Sequence, residues 1–410
     1  MIHRKVLFLL LAVICLSILG LVQFNVKASA TTIQVPLDYP TIQEAINNAN
    51  PGDTVSVSAG TYQECLYINK NLTMTGAGRD TTIINGAGAW CGIEANSSSV
   101  AITGFTVVNV TLGIYIYESN GCIVSGNSIT TPHTNITQEV GIWLYASNSS
   151  VVSNNIVYDV GWRGIVLCGY SSNNTITLNT VTDCGSGIAV SGEGNFIYHN
   201  NFADNQLQTE MLDSFHNDWN STYEGNYWSD HNGTDADKDG IGDTSYMIDE
   251  NNTDNYPLMG MFSQFEITEQ DQNYTVTTIC NSTIIDFTYD GAIYFNTTGS
   301  ESTEGFCRIM IPNALFDHNY TILIDGSPPL QQNELPLSNS TQTYVYFTYP
   351  NTTHAVTIIP EYTTILLLSL IILTIPTAMA LRKRKQKNKT KATTQKRNQQ
   401  KTFGTSIVQA

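Results

Sequence analysis

The sequence predicts an all-β protein: a parallel β-helix over residues 31–262, an immunoglobulin-like β-sandwich over 263–360, and one C-terminal transmembrane helix over 361–381. Three observations carry this. A glycine-led repeat of about 22 residues runs through the first half. Short alternating strands without any repeat follow it. The run Tyr362–Leu381 is then uncharged and mostly apolar, with Arg382, Lys383, Arg384 and Lys385 directly after it.

The chain opens on His3, Arg4 and Lys5, an apolar run from Val6 to Val22, and the small-residue triplet Ala28-Ser29-Ala30. That is the layout of a secretory signal, so residues 1–30 are read as a signal peptide.

The repeat begins with Gly-Ile at Gly92, Gly113, Gly141, Gly164 and Gly187. The segments there, such as GIYIYES and GIWLYAS, alternate with period two, as half-buried strands do. A second strand follows each. Asn127, Asn155, Asn179 and Asn200 form a column thirteen to fifteen residues after the glycines. One coil cannot bury its Ile and Val residues alone, whereas stacked coils bury them together. Turn asparagines accept left-handed backbone angles and, stacked, can hydrogen-bond along the axis. A leucine-rich repeat would show Leu at fixed spacings, and a propeller would need units of four strands.

The run YPTIQEAINNANPGDTVSVSAGTY, Tyr39–Tyr62, resembles the N-terminal cap of right-handed β-helix proteins of the pectin-lyase-like superfamily. In those proteins the TIQEAI stretch is a short helix plugging the open end of the stack. Asn71–Gly86 resembles their first coils, and Gly225–Met259 is similar to the close of the NosD-type β-helix of archaeal surface proteins. The resemblance covers Thr31 to about Met261 and implies a right-handed winding. It says little about function, because the superfamily mixes enzymes, binders and structural proteins.

From Phe265 to Ile359, segments such as GFCRIMIP and YVYFTY read as sandwich strands separated by polar turns. The expected role of this region is a stalk. Seven cysteines remain after the signal, with no CxxC pair, and Cys280 and Cys307 are the disulfide candidates within the stalk. The basic tail, residues 382–410, is expected on the cytoplasmic side of the span, which leaves the body outside the cell. All 35 acidic residues lie between Asp38 and Glu361, together with only five of the 18 basic ones. The net charge of −17 therefore averages an acidic exterior and a basic tail. A body so poor in Lys and Arg cannot neutralise phosphates, which excludes nucleic acid as a partner. Fifteen Asn-x-Ser/Thr acceptor sites between Asn71 and Asn351 suit a glycosylated exterior.

Two groups of residues are candidate sites. Asp235, Asp237, Asp239 and Asp243, with Gly240, match positions 1, 3, 5, 9 and 6 of a calcium-binding loop, because hard oxygen ligands on a tight turn suit that ion. Position 12 is Tyr246 rather than Glu, and Asp249 is a substitute ligand. The plain alternative is an acidic turn. The second group is a surface. With Ile114, Ile116, Ile142 and Leu144 pointing inward, Tyr115, Tyr117, Trp143 and Tyr145 point outward, with Glu94 one coil earlier on the same face. Rings stack on sugar C–H faces and carboxylates accept sugar hydroxyls. In the superfamily that this chain resembles, this face holds polysaccharide. The plain alternative is an aromatic ladder that only stabilises the sheet.

For catalysis, Arg163 is the only base within the repeats, and Asp159 lies close in sequence. The simpler reading of Arg163 is an exposed loop charge. The resemblance also raises a copper role, but His133, His199, His216 and His231 are scattered. The sequence thus favours a non-enzymatic surface module with structural calcium, whose partners are the membrane and either cell-surface glycans or other surface-layer proteins. The alternatives are a polysaccharide lyase or glycoside hydrolase, and a copper accessory protein.

Overall fold

The computed structural model describes residues 30–131, 138–300, 303–316 and 320–360. The signal peptide up to residue 29, the transmembrane helix and the cytoplasmic tail lie outside the described residues. Among the described residues no helix is long and apolar enough to cross a membrane. The chain forms two compact units. Among the described residues, one comprises those from 30 to 236 with 241–262, the other 237–240 with those from 263 to 360.

The first unit is a parallel β-helix. Eight short strands, from Thr32–Val35 to Phe196–Tyr198, stack in sequence order as one parallel sheet. Two long strands, Thr82–Ala95 and Thr106–Tyr117, turn a corner and so belong to both remaining faces. Strict register makes rows of like side chains inside. Ile93, Ile114, Ile142, Ile165 and Ile188 sit one above another, all buried. Burial of this kind contributes roughly 25 cal/mol per Å² of apolar surface, and only stacking provides it.

The glycine column is explained by the corner it occupies. A Cβ on Gly141 would lie 2.4 Å from Val157 Cγ1 and 2.6 Å from the carbonyl oxygen of Gly164. Gly113 and Gly164 meet the same obstruction, at 2.4 Å from the oxygen of Gly141 and 2.8 Å from that of Gly187. The glycines face inward, and the next coil's backbone takes the space of a side chain.

The asparagine column is buried rather than displayed at the turns. The Oδ1 of Asn155 accepts from both the backbone N–H and the Nδ2 of Asn127, at 3.0 and 3.1 Å. Asn155 repeats this on Asn179, Asn179 on Asn200, and Asn200 on Asn226. The left-handed positions are the residues just before: Gly126, Asn154, Leu178 and His199, with φ between 53° and 64°. The expectation that the column itself takes those angles is therefore corrected. The turn residue bends the chain, and the next residue swings its amide inward to satisfy backbone groups that would otherwise be buried unpaired.

A second ladder, which the sequence analysis does not identify, runs parallel to the first. Ser150 N–H donates to Asn174, Asn174 to Asn195, Asn195 to Asn217, and Asn217 to Asn252. The closing segment ends both ladders on carboxylates. Asn252 Nδ2 donates to Asp249 Oδ1 at 2.8 Å. Asp254 Oδ2 accepts from Asn226 N–H at 2.8 Å and from Trp228 Nε1 at 2.9 Å. Trp228 is itself sandwiched between Phe202 and Tyr246. At the other end a helix, Ile42–Asn48, buries Ile42, Ala45 and Ile46 against the first coil. The Glu64 carboxylate accepts the N–H groups of Ile42 and Gln43, and Lys70 Nζ binds the carbonyls of Asn47 and Ala49. Each charge sits at the helix end that favours it.

The second unit is two antiparallel sheets around one core. The five-stranded sheet holds Gln272–Cys280, Glu304–Pro312 and Gln342–Pro350, and the four-stranded sheet holds Ile293–Thr298 and His354–Pro360. Val276, Ile309, Phe347 and Ile358 belong to the shared core. Cys280 and Cys307, the disulfide candidates, are buried cross-strand partners. Cys280 Sγ lies 3.1 Å from the Tyr349 hydroxyl, which also reaches Ser282 Oγ, so the thiol is held in a hydrogen-bond network.

Two predictions follow from the ladders and corners. Gly141→Ala is expected to cost roughly 1–3 kcal/mol, because backbone rather than a flexible side chain must move; thermal unfolding measures it. Burial pushes the Asp254 carboxyl up to about 6 from 3.8. The folded state therefore holds this proton more tightly than the unfolded chain, and the resulting stabilisation is complete below the unfolded value of 3.8. It is lost as pH rises through about 6. In denaturation curves, Asp254→Asn is expected to flatten the fall in stability across this window relative to the parent.

Candidate functional site: an aromatic outer face

The strand Val140–Tyr145 lies between Thr106–Tyr117 and Arg163–Cys168 in parallel register. The register sets Glu94 beside Tyr115, Tyr115 beside Trp143, and Tyr117 beside Tyr145. The rings touch. Tyr115 and Trp143 centroids are 5.2 Å apart, Tyr117 and Tyr145 stack at 5.6 Å, and Trp143 meets Tyr145 edge-on at 6.4 Å. Trp90, which the sequence analysis does not single out, meets Tyr115 edge-on at 5.8 Å and is 54% exposed. It sits where the long strand bends, outside the period-two pattern that identifies the others.

Beneath the rings is a small outer core of Cys91, Leu112, Val140, Val166 and Ala189, with Trp162 and Cys168 packed on it. Trp143 Nε1 donates to Cys168 Sγ at 2.9 Å. The rings are thus anchored on one side and open on the other. Tyr115 is half-buried, and burial holds its phenol well above the usual tyrosine range, so it stays a neutral donor.

Arg163 opens a strand and its side chain is only 12% exposed, which corrects the reading of a loop charge. Its guanidinium forks onto Glu210, with Nε and Nη2 at 2.8 and 2.6 Å from the two carboxylate oxygens, and lies 3.9 Å above the Trp162 ring. Ser186 Oγ also donates to Glu210. The partner is 47 residues away, a pairing visible only once the coils are stacked. A guanidinium so held serves as a structural cation. Asp159 is an exposed left-handed turn residue with φ 56°, whose N–H donates to the Thr182 carbonyl.

In the acidic loop, one ligand oxygen each from Asp235, Asp237 and Asp239 lies within 4.8 Å of the others. Asp243 is not in this group. Its carboxylate closes the loop by accepting from Ala236 N–H and Thr234 Oγ1. Position 12, Tyr246, is stacked on Trp228 and bonded to Asp230. Asp249, the substitute ligand considered, is not in this group; its Oδ1 accepts from Asn252 Nδ2. Three converging carboxylates form an oxygen-only set that suits calcium and does not suit copper. Among the described histidines, His199 pairs with Glu224 at 2.7 Å and His216 bonds the Asn251 carbonyl. His133 lies outside the described residues.

Residues 37–233 match the family described as periplasmic copper-binding protein (NosD). Over that stretch, just under half of the chain, the solenoid is similar to the NosD family. A cell surface glycoprotein of Methanothermus fervidus is 31% identical over 129 residues, which cover 31% of this chain and 21% of that protein. A probable ABC transporter binding protein NosD of Pseudomonas aeruginosa is 37% identical over 94 residues, 22% of each chain. The chain thus spans about a fifth of the length of these curated relatives. The crystal structure of an alginate lyase from Paenibacillus is similar with a TM-score of 0.34 and 16% identity, over 48% of this chain and 76% of that one.

The Arg163–Glu210 pair yields a prediction. Glu210→Ala alone is expected to cost roughly 2–3 kcal/mol, since it strands a mostly buried cation; the partial exposure of Glu210 keeps the figure at the low end. Arg163→Met with Glu210→Ala is expected to recover most of that loss, as measured by denaturant unfolding of both variants.

Proposed function

We propose that this is a cell-surface β-helix protein that binds glycans without cleaving them, using the aromatic face of the NosD-type solenoid. One observation carries the reading: five contacting rings, Trp90, Tyr115, Tyr117, Trp143 and Tyr145, line one outer face across consecutive coils. Rings with one face anchored and one open suit stacking against the C–H faces of sugars. A ladder that only stabilised the sheet would gain nothing from leaving Trp90 and Tyr145 exposed. The name of the Methanothermus relative, a cell surface glycoprotein, agrees with an exterior location. In this reading the second unit is an immunoglobulin-like stalk, and the segment after it anchors the chain in the membrane.

A lyase or hydrolase on the same face is the second reading. It needs a free base, and the engagement of Arg163 with Glu210 and Trp162 weighs against Arg163 in that role. A polysaccharide panel tests both. Trp143→Ala is expected to weaken binding at least about tenfold with no product released at any stage. Unchanged binding in that variant sinks the glycan reading, and product release restores the enzyme.

Calcium on Asp235, Asp237 and Asp239 is proposed as a structural ion of roughly millimolar affinity, typical of extracellular modules. Added calcium is expected to raise the melting temperature of the parent chain but not of Asp237→Asn/Asp239→Asn. Equal shifts in both would rule the loop out.

A further inference from the structure

We propose that the aromatic face selects cationic glycans: polymers of amino sugars whose amines are free and protonated. This rests on the glycan-binding reading above and names its substrate class. Two carboxylates border the rings. Register puts Glu94 directly beside Tyr115. Glu118 follows Tyr117 and interacts with its phenol, holding that hydroxyl protonated. Glu94 is close enough to both tyrosines to raise their phenols as well.

Among the described residues, the cations that could favour an acid sugar are engaged elsewhere. Arg163 is spent on Glu210, and Lys70 on the helix carbonyls. The surrounding body holds 35 acids against five bases, so a uronate polymer approaches against the field of the whole domain. A neutral glycan gains ring stacking and hydrogen bonds from its hydroxyls to the carboxylates. An ammonium gains more: the negative faces of Tyr115, Trp143 and Tyr117 attract it, and Glu94 and Glu118 neutralise it. A half-buried carboxylate, Glu94, and an exposed one, Glu118, beside the aromatic row form a cation-recognising surface, and sugars bring both the ring to stack and the charge to pair.

The experiment compares three probes on the whole chain by calorimetry, below the pKa of the sugar amine. They are a β-linked glucosamine oligomer, the same oligomer fully N-acetylated, and an oligogalacturonate of equal length. The amine oligomer is expected to bind about tenfold more tightly than its acetylated twin. That preference is expected to collapse in Glu94→Gln/Glu118→Gln and in salt on the order of 1 M, where the Debye length falls to about 3 Å. Both changes are on the outer surface, and an unchanged melting temperature confirms that the variant is folded. Equal or tighter binding of the acetylated oligomer overturns this inference and leaves the glycan-binding reading intact. Tightest binding of the oligogalacturonate overturns it as well. Failure of all three probes to bind overturns the inference and counts against the glycan-binding reading beneath it.

Discussion

Everything in the first unit depends on amides that bond along the solenoid axis. A parallel coil turns corners, and at each corner the backbone leaves N–H groups pointing into an apolar interior. An unpaired group there costs on the order of 1–3 kcal/mol. Asn127, Asn155, Asn179, Asn200 and Asn226 remove that cost by a relay, each satisfying the coil before it. The relay works only if successive coils keep the same corner geometry, and the inward glycines enforce this by letting backbone touch backbone. The strict register that results is what aligns the aromatic rings outside. The outer face is thus a by-product of inner order.

The two ends of the stack are handled by charge. At the start, a short helix lies across the opening with Glu64 at its N-terminus and Lys70 at its C-terminus. At the close, Asp249 and Asp254 receive the last donors of the two ladders. A carboxylate suits a chain end because it accepts without needing to pass a proton on. The cost is desolvation, which is why the Asp254 carboxyl is pushed upward. Gly225 belongs to the same arrangement: a Cβ there would fall 1.9 Å from Asp254 Oδ1.

What could be read in the sequence was what repeats. The Gly and Asn columns recur at coil length, and the alternation in GIYIYES and GIWLYAS predicts which rings face out. The second ladder was also legible, since Asn174, Asn195 and Asn217 are spaced 21 and 22 residues apart. Its members lie among many other asparagines, and no glycine marks them. Arg163 was misjudged for a different reason. Its partner Glu210 is two coils away, and a sequence pattern does not show which charges a stack brings together. Asp249 looked like a metal ligand because it is an acid near an acidic loop, yet the ladder's need for a terminal acceptor accounts for it. Domain-level reasoning also singled out Cys280 and Cys307, and the two strands that carry them place these residues opposite each other.

Each coil meets its neighbour through the same parallel strand register, the same buried apolar rows, one inward glycine and one or two inward amides. Such a contact is self-similar, so the joint between coils four and five is interchangeable with that between five and six. Duplication or loss of a whole coil therefore preserves every remaining joint, whereas insertion of a few residues within a coil is tolerated only at the outer turns. Lineages built on this plan can lengthen or shorten the aromatic face in whole-coil steps of about 4.8 Å. The register inside sets the spacing of the outer rows, and the number of coils sets how many rows there are.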